Sequence, residues 1–198
     1  MKFETFAIYL KEKAGITEEQ YHQLTEVLRS KTVDKGQFLL KKGEVCQHSF
    51  FVEKGLLRSY SISDIGKEHI IQFASENWFM SDRSSAYFNE PSDFFIDAIE
   101  ETTVILIDQS FIKLASEISS SFREYNEKIL QNHIRHLQKR VNLLLGASAE
   151  IRYLNFIKLY PDLTFRVPQW MIASYLGITP ESLSRVRKEL AKRHFKPQ

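Results

Sequence analysis

The stretch ASYLGITPESLSRVRKEL, Ala173 to Leu190, sets one glycine between two apolar-patterned runs. Ile172, Ala173 and Leu176 recur at helical spacing and lead into Gly177, a residue suited to a left-handed helix stop. Thr179 then reads as an N-cap and Pro180 as the first residue of a second helix, with Leu183, Val186 and Leu190 turned inward. Two short helices joined by a tight glycine turn form a helix-turn-helix arrangement. Taken alone, the stretch also fits a soluble hairpin whose Glu181 and Arg185 form a surface ion pair worth about 0.3 kcal/mol.

The exposed face of the second helix separates the two readings. Glu181, Ser184 and Arg185 are related by i, i+3 and i+4, and Lys188 continues their face one turn later. An arginine can donate two hydrogen bonds to guanine O6 and N7, a glutamate can accept one from cytosine N4, and a serine suits a base edge or a phosphate. The free N–H groups of the first turn, with Thr179 and Ser182 beside them, suit a phosphate. Arg187, Lys192, Arg193 and Lys196 are placed for the nucleic-acid backbone rather than for bases.

Charge points the same way. Lys and Arg number 13 against 19 Asp and Glu over residues 1–118, a net −6, and 14 against 6 over residues 119–198, a net +8. A basic segment gains free energy near a polyanion by releasing condensed counterions, whereas an acidic one is repelled. The basic end is therefore the candidate binder of double-stranded DNA.

Working upstream, an alternating run over Leu163–Val167 reads as a short strand, and Ile151, Leu154, Phe156, Ile157 and Leu159 mark a helix ending near Pro161. Before Gly146, helical periodicity runs unbroken from Ser121. Within it Leu130, Ile134, Leu137, Val141 and Leu144 are spaced 4, 3, 4, 3, a heptad stripe that predicts a parallel dimer seam between two copies of the chain. Packing on the chain's own roll is the alternative.

Between Val33 and Asp108 the pattern is short β-rich runs, QFLL, SFFVE, LLRSYSI, EHIIQFA, FFIDAIE and TVILID, with Gly36, Gly43, Gly55 and Gly66 at their junctions. Strands so closely spaced leave no room for crossover helices, which excludes a parallel sheet and predicts a sandwich, barrel or jelly roll. The stretch ITEEQYHQLTEVLRSKTV carries Thr17 and Gln20 at capping-box spacing, then Tyr21, Leu24, Val27 and Leu28 on one helical face. The fold class expected is α+β: a β-roll sensor domain over residues 1–118, a dimerisation helix over 119–146, and a winged-helix or helix-turn-helix DNA-binding domain over 147–198.

This order of elements, with VPQWMIASYLGITPESLSRVRKEL at its end, resembles the Crp/Fnr transcription regulators over nearly the whole chain. KGQFLLKKGE, FFVEKGLLRSYSI and GKEHIIQF look like the family's successive strands and turns. Glu181, Ser184 and Arg185 match the family's E-x-x-S-R pattern, which implies contacts to a TGA-like half-site. The resemblance also implies a homodimer on an inverted-repeat site, with RNA polymerase as a further partner.

Two departures matter. Family members that bind cyclic nucleotides carry a Gly-Glu-Leu turn and, later, Arg-Ser or Arg-Thr, which grip the phosphate and ribose. Here Met80, Ser81 and Asp82 stand at the first place and Ser92 and Asp93 at the second, so an acid stands where a phosphate needs a cation. Cyclic AMP is not expected to bind through this cassette; Phe79, Arg83, Ser84 and Ser85 remain to line a pocket for another anion. Only HFKPQ follows the recognition helix, so the family's β-hairpin wing is expected to be shortened or absent.

The single cysteine, Cys46, excludes an internal disulfide and an all-cysteine zinc or iron–sulfur cage within one chain, and is expected to be a buried inert thiol. His133 and His136 lack a nearby carboxylate or thiol to complete a metal set, and His48 and His69 stand alone. No metal or cofactor is expected, and the effector is left open. A jelly-roll enzyme would need histidines converging on a metal, and no H-x-H pair, Ser/His/Asp spacing or phosphate loop occurs. A scaffold whose helix-turn-helix contacts protein is the other alternative. No apolar run approaches the roughly 20 residues of a membrane span and no signal pattern opens the chain, so a cytoplasmic protein without membrane contact is expected.

Overall fold

A computed structural model describes residues 3–194. The elements run α1 (Glu4–Ala14), α2 (Glu18–Thr25), β1 (Arg29–Val33), β2 (Phe38–Leu40), β3 (Ser49–Lys54), β4 (Leu57–Ile62), β5 (Glu68–Ala74), β6 (Phe79–Met80), α3 (Arg83–Phe88), β7 (Phe95–Ala98), β8 (Thr102–Ile107), α4 (Gln109–Ile118), α5 (Ser120–Gly146), α6 (Ala149–Leu159), α7 (Leu163–Arg166), α8 (Gln169–Leu176) and α9 (Pro180–His194). They fall into two compact units. One holds residues up to Lys67 with Ile71–Asn132; the other holds Glu68–Ile70 and the chain from His133 onward. The division falls inside α5, which contributes to both.

In the first unit two four-stranded sheets, ordered β1-β8-β3-β6 and β2-β7-β4-β5, form the jelly-roll-like body. The paired strands β1/β8, β3/β8, β3/β6, β2/β7 and β4/β7 are antiparallel. Strands β3 and β8 are apolar on both faces for a reason. Phe50, Val52 and Val104 enter the roll's core with Leu40, Leu57 and Ile96, while Phe51, Ile105 and Ile107 point the other way into a helical cluster. That cluster gathers Phe6 and Leu10 of α1, Tyr21 and Leu24 of α2, Phe111 of α4 and Phe122 of α5.

Gly55, in the β3–β4 turn, has φ 103°, and a Cβ there would come within 2.6 Å of the Glu101 carbonyl oxygen, so glycine is required for both shape and space. Gly36, Gly43 and Gly66 share the positive φ expected of them.

Three segments differ from the sequence reading. Helix α1 was not expected: its N-terminus has no local side-chain cap, and its free N–H groups are met from β3, where the Glu53 carboxylate accepts from Thr5 at 2.9 Å and Phe6 at 3.1 Å. The Thr17–Gln20 capping box is present, but α2 stops at Thr25 and the following residues form β1, pairing Arg29–Val33 with β8. In the second unit the run expected as a strand over Leu163–Val167 is the single helical turn α7: Leu163 is buried, and the Val167 N–H donates to the Leu163 carbonyl at 3.0 Å. Among the described residues no strand follows Gly146. The wing expectation concerns the chain's last residues, of which 195–198 lie outside those described.

Candidate nucleic-acid interface

Helices α8 and α9 form the helix-turn-helix. Helix α8 buries Ile172, Ala173, Tyr175 and Leu176; α9 buries Leu183 and Val186. Gly177 ends α8 at φ 64°, its N–H donating to the Ser174 carbonyl at 3.1 Å while the Ile178 N–H reaches the Ala173 carbonyl at 3.0 Å. This closure satisfies two terminal carbonyls, and the left-handed turn redirects the chain into α9. At the start of α9 the Thr179 hydroxyl accepts from the Ser182 N–H at 3.2 Å, which is the expected cap.

With Leu183 and Val186 inward, a rotation of 100° per residue sets Glu181, Ser184, Arg185 and Lys188 together on the opposite, exposed face. Arg187 and Ser182 are half-buried on the flanks of that face. The Glu181 carboxyl is held below its ordinary range by its own backbone N–H and then by the Thr179 hydroxyl, so it is an acceptor at neutral pH. Among the described residues no ion pair joins Arg185 to Glu181 or to any other acid, which leaves its guanidinium donors facing solvent. Arg193 pairs with Glu150 of α6 at 2.6 Å. Lys192 is exposed; Lys196 lies outside the described residues.

Two residues that sequence reasoning did not single out hold the end of α8. Arg140 of α5 stacks on the Tyr175 ring at 3.9 Å and donates to the Tyr175 carbonyl at 3.2 Å and the Ile70 carbonyl at 3.1 Å. Arg152 of α6 donates to the Leu176 carbonyl at 3.0 Å and, through Nε, to the Ala147 carbonyl at 2.9 Å. Both clamp carbonyls immediately before the Gly177 turn. Arginines at half-buried helical positions are the only mark such clamps leave in a sequence.

The stripe on α5 is uncovered. Leu130, Ile134, Leu137, Val141 and Leu144 range from 36% exposed at Leu144 to 54% at Val141.

In the roll, Asp82 caps α3, accepting from the Ser85 N–H at 3.2 Å, and also accepts from the Ser92 hydroxyl at 2.7 Å. Ser85 donates to the Glu90 carbonyl at 2.6 Å and accepts from the Cys46 N–H at 2.9 Å. Asp82, Ser85, Ser92 and Cys46 are all buried, and burial pushes the Cys46 thiol pKa up. Of the four residues expected to line a pocket, Arg83 and Ser84 are exposed on α3 and Ser85 is buried in this network. Phe79 packs edge-on against Tyr9 and Phe51 of the helical cluster.

Against known proteins, residues 30–117 match the cyclic nucleotide-binding domain family. Along most of its length the chain is similar to the anaerobic regulatory protein of Pasteurella multocida strain Pm70, 26% identical over 89% of this chain and 68% of that protein. It is likewise similar to the transcriptional activator protein anr of Pseudomonas aeruginosa, 27% identical over 87% of this chain and 75% of that one. Among solved structures, FixK2 from Bradyrhizobium japonicum shares the fold at a TM-score of 0.71 and 20% identity, covering 86% of this chain and 88% of that one. A CooA mutant from Carboxydothermus hydrogenoformans does so at 0.69 and 21%, covering 89% and 82%. The relatives matched over most of this chain are regulatory by name, an anaerobic regulatory protein and a transcriptional activator. These likenesses support a Crp/Fnr-type regulator. Among the described residues no helix is long and apolar enough to cross a membrane.

Proposed function

We propose that the chain works as a homodimer that binds an inverted-repeat site in double-stranded DNA. The seam is Leu130, Ile134, Leu137, Val141 and Leu144 of α5. Helix α9 enters the major groove with Glu181, Ser184 and Arg185 at base edges, while Thr179, Ser182, Arg187 and Lys188 engage phosphates. The observation that carries this reading is the exposed face of α9, where an ionised Glu181 and an Arg185 without an ion-pair partner among the described residues stand side by side. A merely solvated helix gains from pairing such groups; here Glu181 is held by its own N–H and the Thr179 hydroxyl, and Arg185 is left open. RNA polymerase is the further partner a regulator of this build engages, in the compartment that holds the DNA.

The roll does not grip a cyclic nucleotide through the usual cassette. Met80, Ser81 and Asp82 stand at its first place and Ser92 and Asp93 at its second, so the Asp93 carboxylate stands where a phosphate needs a cation, and Ser92 is bonded to Asp82. Calorimetric titration with cyclic AMP is expected to show no binding, and micromolar affinity would overturn this part.

Selection of bound duplexes from a random pool tests the whole reading. Enrichment of an inverted repeat with half-sites about 34 Å apart is expected, with affinity falling steeply as salt rises. Enrichment of a single unpaired half-site would contradict the dimer, and failure to enrich any sequence would contradict base readout.

A further inference from the structure

The second unit contains a cavity of about 260 Å³ walled by the C-terminal half of α5, by α6 and by the end of α8. Its floor is apolar, built from Leu143, Phe156, Leu159 and Leu176. Its rim is basic: His136, Lys139 and Lys158 stand around the opening, and Arg140 and Arg152 form part of the wall. No aspartate or glutamate lines it. Lys139 and Lys158 are exposed and make no ion pair among the described residues. The volume lies just under the roughly 300–1,000 Å³ usual for sites of drug-sized ligands, which limits an occupant to a small molecule.

Four permanent positive charges around an apolar floor with no acid to balance them is an arrangement with a definite complement. An inorganic anion would leave the floor unused, and a neutral apolar molecule would leave the charges unused. A phosphate backbone would meet the two lysines at the surface but would not enter. We propose that this cavity binds a small amphipathic anion, a carboxylate or sulfonate on an apolar body, with the acid group among Lys139, Lys158 and the two arginines and the body on Leu143, Phe156 and Leu159.

The site is wired to the turn of the helix-turn-helix. Arg140 and Arg152, which line the cavity, are the residues whose guanidiniums hold the Tyr175 and Leu176 carbonyls. A Cβ at Gly177 would lie 3.2 Å from the Leu144 side chain and 3.5 Å from Arg152, so the turn has little room to move independently of these walls. An anion drawing guanidinium N–H groups toward itself competes with those carbonyls and shifts the start of α9. Regulation of DNA affinity rests on the DNA-binding reading above; occupancy of the cavity does not.

The test uses the full-length chain and the fluorescent probe 8-anilinonaphthalene-1-sulfonate, with neutral N-phenyl-1-naphthylamine as control. The sulfonate is expected to bind saturably at one site per chain and at least about fivefold more tightly than the neutral probe. The double variant Lys139→Gln/Lys158→Gln, both positions exposed and safe for folding, is expected to weaken the sulfonate about fivefold and leave the neutral probe unchanged. Leu159→Trp, which fills the floor, is expected to abolish binding; an unchanged thermal melt confirms that it is folded. Equal affinity of the two probes, or sulfonate affinity unaltered in both variants, overturns the proposal. So does a double variant that lowers DNA affinity and its salt dependence while probe binding stands, because the rim then belongs to the DNA. Specific probe binding by a chain that binds no DNA would leave this site intact and overturn the function proposed above instead.

Discussion

Helix α9 and helix α3 each carry a polar cap followed by serines and an arginine, yet they end in opposite states. At α9 the cap Thr179 spends its oxygen on Ser182, and the outward residues Ser184, Arg185 and Lys188 are left to solvent. At α3 the cap Asp82 also takes Ser92 and Ser85 bridges Cys46 and Glu90, so these three side chains are buried and satisfied by one another, while Arg83 and Ser84 stay exposed. A group already bonded inside the protein has little left to offer a ligand, whereas an open one keeps its full hydrogen-bonding capacity. The difference argues that α9 is built to meet something and that α3 is built to close. The Asp82, Ser85 and Ser92 side chains of the α3 turn therefore have little left to offer a ligand.

The comparison breaks most completely if α9 is never presented twice. Leu137→Glu sets two unpaired acids against each other in the proposed seam, at about 3 kcal/mol or more, roughly 100-fold in association. Sedimentation should show monomers, and affinity for an inverted repeat should fall to that for a half-site. A dimer that survives this change would mean that the stripe is not the seam.

Next in size is the reading face itself. Arg185→Ala should cost about 1–3 kcal/mol and relax preference at one base pair, measured by competition among duplexes substituted position by position. Equal loss on every duplex, with a shallower salt slope, would move Arg185 from base to phosphate. On the closed side, Asp82→Ala leaves the Ser92 hydroxyl and the Ser85 N–H buried without their acceptor and should lower unfolding free energy by about 1–2 kcal/mol in urea. It should not confer cyclic-nucleotide binding, since removing an acid supplies no cation. Gain of micromolar affinity would show that Asp82 alone keeps the cassette shut.

The open region was legible in the sequence because its determinants are local. Gly177, Thr179 and Pro180 lie within three residues of one another, and the inward set Leu183, Val186 and Leu190 repeats at the helical period. The roll was legible for the same reason, through glycine junctions and short β-rich runs. What was hidden depends on distant partners. Helix α1 is capped by Glu53, 47 residues beyond Phe6 in the chain. Strand β1 buries only Val33, so its earlier residues give no alternating signal and read as a continuation of α2. The run from Leu163 to Val167 alternates apolar and polar residues as a strand would, yet Phe165 is 91% exposed and the segment coils. The clamps from Arg140 and Arg152 to the α8 carbonyls, and the basic cavity they wall, exist only once three helices meet.

The smallest effect probes those clamps from the side. Burial holds the His136 pKa below the ordinary histidine range, with Arg140 and Lys139 of its own helix adding to the shift, and Arg152 and Lys158 share the same cavity from α6. The unfolded chain takes up a proton at this position near pH ~6.5, the folded chain only at lower pH. Between the two the unfolded state binds more protons, so stability rises with pH. The contribution is complete above the unfolded value and is lost as pH falls through the folded one. Urea unfolding from pH about 7 to about 5 should therefore show a steeper loss of stability in the natural chain than in His136→Gln, which cannot titrate. A saturating amphipathic anion in the cavity should narrow that difference, because a negative charge beside His136 lets the folded chain hold the proton too. Identical pH slopes in the two proteins would mean that neither burial nor the cations around the cavity depress the proton affinity of this imidazole.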